Sequence, residues 1–480
     1  MTLLARRMAA ELAASFDPAQ PARFTRAPGR LDVMGGIADY TGSMVCEYTL
    51  GVSAAVALAP RSDRNVQIFS FNLLDENQPF TMSVPLDALA GPLEKLRRDF
   101  HAAGRKWGGY FAGCLAVLHE QQLIDLTDPR IGGINLAVLS QIPLGAGISS
   151  SAAIEVATMM NLAGHFGLLS GRDAIEPLDL ASMCQRVENH VVGAPCGIMD
   201  QVSSCCGRAG SLLRLICQPH KLLPPLPLPD GVKVVGINTN VRHSVGGGMY
   251  GRTRCAAFMG HRIILDKMRQ IGITSGRTLT GDPTGGYLAN LDANDYREIF
   301  RHALPEWLDG EEFLSRYNST IDTATDVDPT VRYHVRQATD HHVHEAVRVR
   351  HFVELLEEAA TLDRHSDPWR HALHKAGHLM YDSHQSYTHD AMLGADECDL
   401  LVDLARNHEG DGIFGAKITG GGSGGTVAIL TEDTAQVDHA IEQMMHDYQT
   451  RADRVPQQLS GASDGAWSAG GGIIKPPAEF

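Results

Sequence analysis

Gln141-Ile142-Pro143-Leu144-Gly145-Ala146-Gly147-Ile148-Ser149-Ser150-Ser151-Ala152-Ala153 is the stretch whose reading decides the fold. The apolar run at 134–139 ahead of it has strand length, and 154–166 behind it carries apolar residues at helical spacing. The local order is strand, glycine loop, helix. Gly145 and Gly147 permit a tight turn that brings backbone amides close to a ligand, while Ser149, Ser150 and Ser151 either cap the helix or offer hydroxyls. A helix N-terminus with free amides and a positive dipole end is a seat for phosphate.

Outward from that loop, 24–31 reads as a strand ending in Pro28-Gly29, followed by the turn Met34-Gly35-Gly36. Strands are expected at 52–58 and 66–71, and helices at 107–118 and 178–192. A further helix begins near Gly197 and carries Met199-Asp200-Gln201. Five prolines between Gln218 and Asp230 make a semi-rigid connector, which divides the chain into domains 1–217 and 218–480. In the second, 232–239 is a strand, 275–330 is a turn-rich insertion of small helices, and 344–362 and 371–386 are helical. Strands at 416–419 and 426–430 flank Gly420-Gly421-Gly422-Ser423-Gly424-Gly425. This loop matches a dinucleotide fingerprint and a hydrolase nucleophile elbow in form, but both need a helix directly after it, and Thr426-Val427-Ala428-Ile429-Leu430 reads as a strand. The Gly/Ser/Ala-rich tail from Ser460 is expected to be loosely ordered.

Composition narrows the classes. The 480 residues suffice for two or three domains, and 44% hydrophobic with 20% charged residues is ordinary for a globular protein. A net charge of -15 argues against nucleic-acid binding, although local cations or a bound Mg²⁺ can still receive an anionic substrate. Nine scattered cysteines without zinc spacing fit reduced thiols. No run approaches membrane-spanning length, and the amphipathic N-terminal stretch lacks the apolar centre of a signal peptide. A cytoplasmic enzyme is the expectation.

Three glycine motifs in order resemble those of the GHMP kinases: Ala27-Pro28-Gly29-Arg30-Leu31-Asp32-Val33-Met34-Gly35, then Pro143 to Ala153, then Lys417 to Gly425. Galactokinase-like segments extend the likeness: Trp107 to Tyr110, Pro195 to Gln201, Asn240-Val241-Arg242-His243-Ser244, Tyr250, and Met380 to His384. The resemblance implies a two-domain α+β fold with the active site in the cleft between the lobes, ATP as donor, and Mg²⁺ as the metal. By the same resemblance Asp200 orients or deprotonates the attacking hydroxyl, and Arg30 is its cationic neighbour. Ser151 and Glu188 correspond to Mg²⁺ ligands. Pro143, Gly145, Ala146, Gly147, Ser149, Ser150 and Ser151 form the nucleotide cradle, Trp107 is a wall of the adenine pocket, and Gly420, Gly421 and Gly422 form a supporting loop. Phosphoryl transfer needs positioning and charge stabilisation more than covalent chemistry, which suits this division of labour. Lys417 reads either as a further cation for the phosphates or as an exposed strand-edge lysine.

The acceptor is read from a departure. Galactokinases carry Gly-Glu-His-Thr-Asp-Tyr where this chain has Gly35-Gly36-Ile37-Ala38-Asp39-Tyr40. Asp39 and Tyr250 remain to meet sugar hydroxyls. The Glu-His pair, which in the family faces the exocyclic hydroxymethyl, has become Gly36-Ile37. A site stripped of groups that would hydrogen-bond a hydroxyl suits a sugar lacking it. L-Arabinopyranose is such a sugar. The segments at 34–40, 243–248, 286–290 and 333–338 also look like the kinase domain of plant-type L-arabinokinases. The expectation is phosphorylation of the anomeric hydroxyl of L-arabinose, with D-galactose as the alternative acceptor and a non-catalytic sugar sensor as a further one. His334, His341, His342, His344 and His351 read as a partly solvated helix rather than a metal site, and Cys196 as a small buried residue.

Overall fold

The computed structural model describes residues 2–17, 20–172, 174–241, 248–274 and 281–474. The segments 242–244 and 243–247 singled out above, and 275–280 of the insertion, lie outside the described residues.

The long strands β1 (Ala22–Met34) and β2 (Met44–Pro60) form the spine of the first sheet, with β3 (Asn65–Ser70), β4 (Thr81–Pro85), β5 (Ile134–Ser140) and β6 (Ser211–Ile216). The first half of β2 pairs with β6 and its second half with β5, while β3 runs parallel to β5. Every residue of β5 is buried because both faces are covered. Ile134, Leu136 and Val138 face the main core. Ala137 and Leu139 pack under the N-terminal helix Thr2–Glu11, against Leu4, Met8 and Phe16. That alternation is the period of an extended strand.

The two-residue strands β7 (Lys221–Leu222) and β8 (Leu226–Pro227) pair on β6. β9 (Val232–Asn238) opens the second sheet. The small ladder of β10 (Leu308–Asp309) and β11 (Arg332–Tyr333) follows among short helical turns. β12 (Ile413–Ile418), β13 (Thr426–Glu432) and β14 (Gln457–Leu459) complete the second sheet in the order β12-β13-β9-β14. The run at 426–430 is thus a strand, which disposes of the dinucleotide and nucleophile-elbow matches. Helices Val335–Ala359 and Asp367–His389 carry Val349, Phe352, Leu356, Trp369, Leu373 and Met380 into the same core as the first sheet. No helix among the described residues is long and apolar enough to cross a membrane.

The tail corrects its expectation. β15 (Gly472–Ile474) pairs with the start of β1, Ala22 opposite Ile474. Upstream, Gly51 N–H donates to Gly461 O at 3.1 Å and Thr49 Oγ1 to Ser463 O at 2.6 Å. Ser463 Oγ in turn donates to Leu50 O at 2.9 Å. The tail is ordered by backbone groups satisfied along β2 and β1 and by Ala466 and Ile474, which are buried, with Trp467 packed against the main core.

Candidate active site

At the mouth of helix Ser150–His165, Gly145 and Gly147 hold φ of 70°, and Ser149 is left-handed at 61°. Ser149 makes no side-chain cap, and its buried Oγ has no hydrogen-bond partner among the described residues. A buried hydroxyl without a partner at a helix mouth fits the binding of an anion there. The third glycine loop braces this one from behind. A Cβ on Gly420 would stand 2.5 Å from Gly147 O, so only glycine allows the approach, and Thr426 Oγ1 donates to Ala146 O at 2.8 Å.

β1 loses register with β2 at Pro28/Arg30, and an irregularity of this kind re-aims a side chain. The buried Arg30 guanidinium reaches three partners. Nη1 donates to Gly147 O at 2.8 Å. Nη2 and Nε donate to Asp200 Oδ1 at 2.7 and 3.0 Å. Nε also lies 3.1 Å from Glu47 Oε2. Burial opposes the Arg30 charge, and Asp200, Glu47 and Asp32 more than offset it. Burial, then the Asp32 charge, pushes the Glu47 carboxyl well up against the opposing pull of Arg30. Asp200 occupies the first turn of helix Met199–Cys206, where the dipole favours a carboxylate, and keeps 22% of its side chain exposed.

Glu188 is fixed by a helical distortion: helix Pro177–Arg186 widens into a π turn at Val187–Val192. Burial, then the Asp200 charge, pushes its carboxyl up to about 7, although Ser151 and Cys196 hydrogen-bond to it. Gln201 Nε2 donates to Glu188 Oε2 at 2.7 Å. A hydroxyl and a carboxylate side by side on the wall of a polar cavity fit Mg²⁺, which takes few protein oxygens and keeps waters.

At the other end, the 3-10 turn Gly36–Thr41 presents Ile37 and Asp39, and Tyr250 comes from the start of helix Met249–Thr274. Burial, then Asp200, raises the Asp39 carboxyl to about 7. The structure gathers Arg30, Ile37, Asp39, Gly145, Gly147, Ser149, Ser150, Ser151, Glu188, Asp200, Tyr250 and Gly421 around one cavity of about 310 Å³. It does not bring Trp107, Pro143, Ala146, Gly36, Gly420 or Gly422 to that lining. Trp107 packs against the core with its ring edge on Phe111, and Lys106 and Tyr110 line the cavity in its place. Tyr110 belongs to a galactokinase-like segment that assigns it no role, and the sequence does not single out Lys106. Pro143 borders a separate groove with Leu144.

The structure overturns the reading of Lys417. Lys417 is neither a phosphate cation nor an exposed strand-edge residue: it is fully buried and ion-paired with the equally buried Asp32. The histidine helix is partly solvated as expected, with His344 half-buried and His351 exposed. His341 and His342 are fully buried, His341 Nδ1 lying 2.9 Å from Ser386 Oγ. His342 lies between Tyr40 Oη at 3.0 Å and Thr41 Oγ1 at 3.2 Å. No cluster of three or more His, Cys, Asp or Glu able to hold a metal occurs among the described residues. Cys196 lies on the cavity wall, where burial pushes its thiol well up, away from a nucleophile's range.

The GHMP kinases N terminal domain matches residues 110–208, and the GHMP kinases C terminal matches 356–449. Galactokinase of Chloroflexus aggregans is 30% identical over 92% of this chain and 91% of its own length. The chain belongs to the GHMP kinase family. Within this family it is galactokinase-like, and its curated relatives are sugar kinases. L-arabinokinase of Arabidopsis thaliana is 35% identical over 93% of this chain, which spans 46% of that longer protein. The crystal structure of Lactococcus lactis galactokinase complexed with galactose superposes with a TM-score of 0.72 at 20% identity, covering 99% of this chain and 100% of that one. Methanococcus jannaschii mevalonate kinase gives 0.51 at 13% identity, covering 92% and 99%. These likenesses establish the two-domain α+β GHMP kinase fold.

Proposed function

We propose that the chain is an ATP-dependent sugar 1-kinase that converts L-arabinose to L-arabinose 1-phosphate. The observation that carries this reading is the Arg30–Asp200 pair, set between the serine-led helix mouth and an acceptor end formed by Ile37, Asp39 and Tyr250. The amides and hydroxyls at 145–151 hold the polyphosphate. Asp39 and Tyr250 orient the sugar, and Asp200 accepts the proton of the anomeric hydroxyl as its oxygen bonds to the γ-phosphorus. The bridging bond to ADP breaks, and ADP leaves with the electron pair. Arg30 holds Asp200 in place and adds positive charge beside the transferring group, where the transition state spreads its charge. Ser151 and Glu188 would hold Mg²⁺, which supplies charge neutralisation on the phosphates when bound.

The identity of the pentose rests on Ile37. An apolar, 1% exposed side chain forms the wall where galactokinases place polar groups, and it offers no partner to a hydroxymethyl. D-Galactose is the second reading, favoured by the galactokinase match along 91% of that relative. ADP release measured with each sugar decides between them. L-Arabinose is expected to have the higher kcat/KM. A preference for D-galactose of about tenfold, or 1.4 kcal/mol in transition-state binding, overturns the pentose assignment, and no sugar-dependent release at all overturns the kinase.

A further inference from the structure

Position 36 lacks a side chain, and another residue occupies the space one would need. Gly36 has φ of 47°, and a Cβ built on it would lie 1.8 Å from Tyr387 Oη. Tyr387 arrives from helix Asp367–His389, far away in sequence and fully buried. Its hydroxyl accepts from Ile37 N–H at 2.9 Å and donates to Gly420 O at 2.9 Å. Ile37 is the apolar wall of the acceptor end, and Gly420 is the backbone pressed on the phosphate loop. One phenol therefore ties the two ends of the cavity together. The ring itself is confined: Lys417 Nζ lies 5.1 Å from its centroid, and the His341 ring packs edge-on at 5.0 Å.

We propose that Tyr387 is a positioning residue that sets acceptor size. It stands in the volume vacated at Gly36, fixes Ile37 against the sugar, and so separates a pentopyranose from the same ring bearing a hydroxymethyl. The inference rests on the sugar-kinase reading above. It also means that polar side chains cannot be restored at 36 and 37 alone, since any side chain at 36 meets the phenol first.

The test is a double-mutant cycle in the full chain, read by ADP release with L-arabinose and D-galactose and by Tm. Tyr387→Leu is expected to raise the D-galactose to L-arabinose ratio of kcat/KM by about tenfold, the scale of discrimination one carbon supports, mainly through KM. Tyr387→Phe, which keeps the ring, is expected to return the ratio to within about threefold of wild type. Gly36→Ala alone is expected to cost about a hundredfold in activity, and clearly less in the Tyr387→Leu background. An unchanged sugar ratio in Tyr387→Leu overturns the role in acceptor size. Additive effects of Gly36→Ala and Tyr387→Leu on both activity and Tm overturn the shared volume. If Tyr387→Leu fails to fold, Tyr387→Met takes its place in the same cycle, with the same expected rise in ratio and the same outcomes overturning the proposal. A wild type that phosphorylates neither sugar sinks the kinase reading instead, and the Tm cycle still reads whether the phenol fills position 36.

Discussion

Arg254 and Asp322 meet as a two-pronged pair, Nε to Oδ2 at 2.8 Å and Nη2 to Oδ1 at 2.7 Å, and neither side chain is more than 8% exposed. Asp322 belongs to the segment between helices Gly310–Tyr317 and Val335–Ala359. Arg254 Nη1 also donates to Pro195 O and Cys196 O, each at 3.4 Å, and its guanidinium lies 4.8 Å from the Tyr40 ring centroid. The turn-rich insertion is thereby coupled to the loop that precedes Asp200. Asp322→Ala leaves a buried guanidinium unpaired and is expected to cost about 3–5 kcal/mol. Urea denaturation measures the loss, and acceptor KM should rise more than nucleotide KM.

Removing the candidate base should separate chemistry from binding. Asp200→Asn is expected to lower kcat by about a thousandfold, within the range of general-base contributions. ATP affinity by calorimetry should change by less than about threefold, because the phosphate loop at 145–151 does not rest on the carboxylate charge. Equal losses in affinity and kcat would assign Asp200 to the nucleotide site instead.

Lys417 supplies a stability measurement. Lys417→Ala strands Asp32, whose carboxylate keeps the Gly36 N–H at 2.9 Å. The expected cost is about 3–5 kcal/mol, against about 0.5 kcal/mol for an exposed lysine. A urea midpoint within error of wild type would show that the pair contributes nothing.

The raised carboxyls predict a pH response. Asp39 and Glu188 stand at about 7, up from 3.8 and 4.5. Between those limits the folded chain binds more protons than the unfolded one, so this stability is fully present below about pH 4 and lost as pH rises through about 7. Tm of the ligand-free chain should fall between about pH 4 and about pH 7 and level off above that, and Asp39→Asn should remove part of that fall.

What the sequence revealed and what it hid divide along physical lines. The strand-loop-helix at 134–166 was readable because hydrophobic period and paired glycines are local signals, and the helix Ser150–His165 begins beside the expected residue. The meeting of Arg30 with Asp200 came only through resemblance, since no spacing links residues 170 positions apart. Lys417 could not be read as buried from its strand, because its burial and partner come from β1 and helix Asp367–His389 packing over it. Tyr387 gave no signal at all. A tyrosine in an amphipathic helix is ordinary core, and its importance lies in the empty position it meets at Gly36, on a distant part of the chain. The tail misled for a related reason: glycine and serine content says how little a segment packs, not whether a neighbouring strand will accept its amides.

The pairing of Gly472–Ile474 with β1 has a consequence for the molecule among its own copies. That closing strand covers the rim of the first sheet at Ala22–Phe24, and an open rim is where chains add to one another. Trimming the chain from Gly472 onward would leave catalysis intact yet uncover a template for edge-to-edge growth. Loss of solubility, more than loss of turnover, is how such a shortened chain would announce itself.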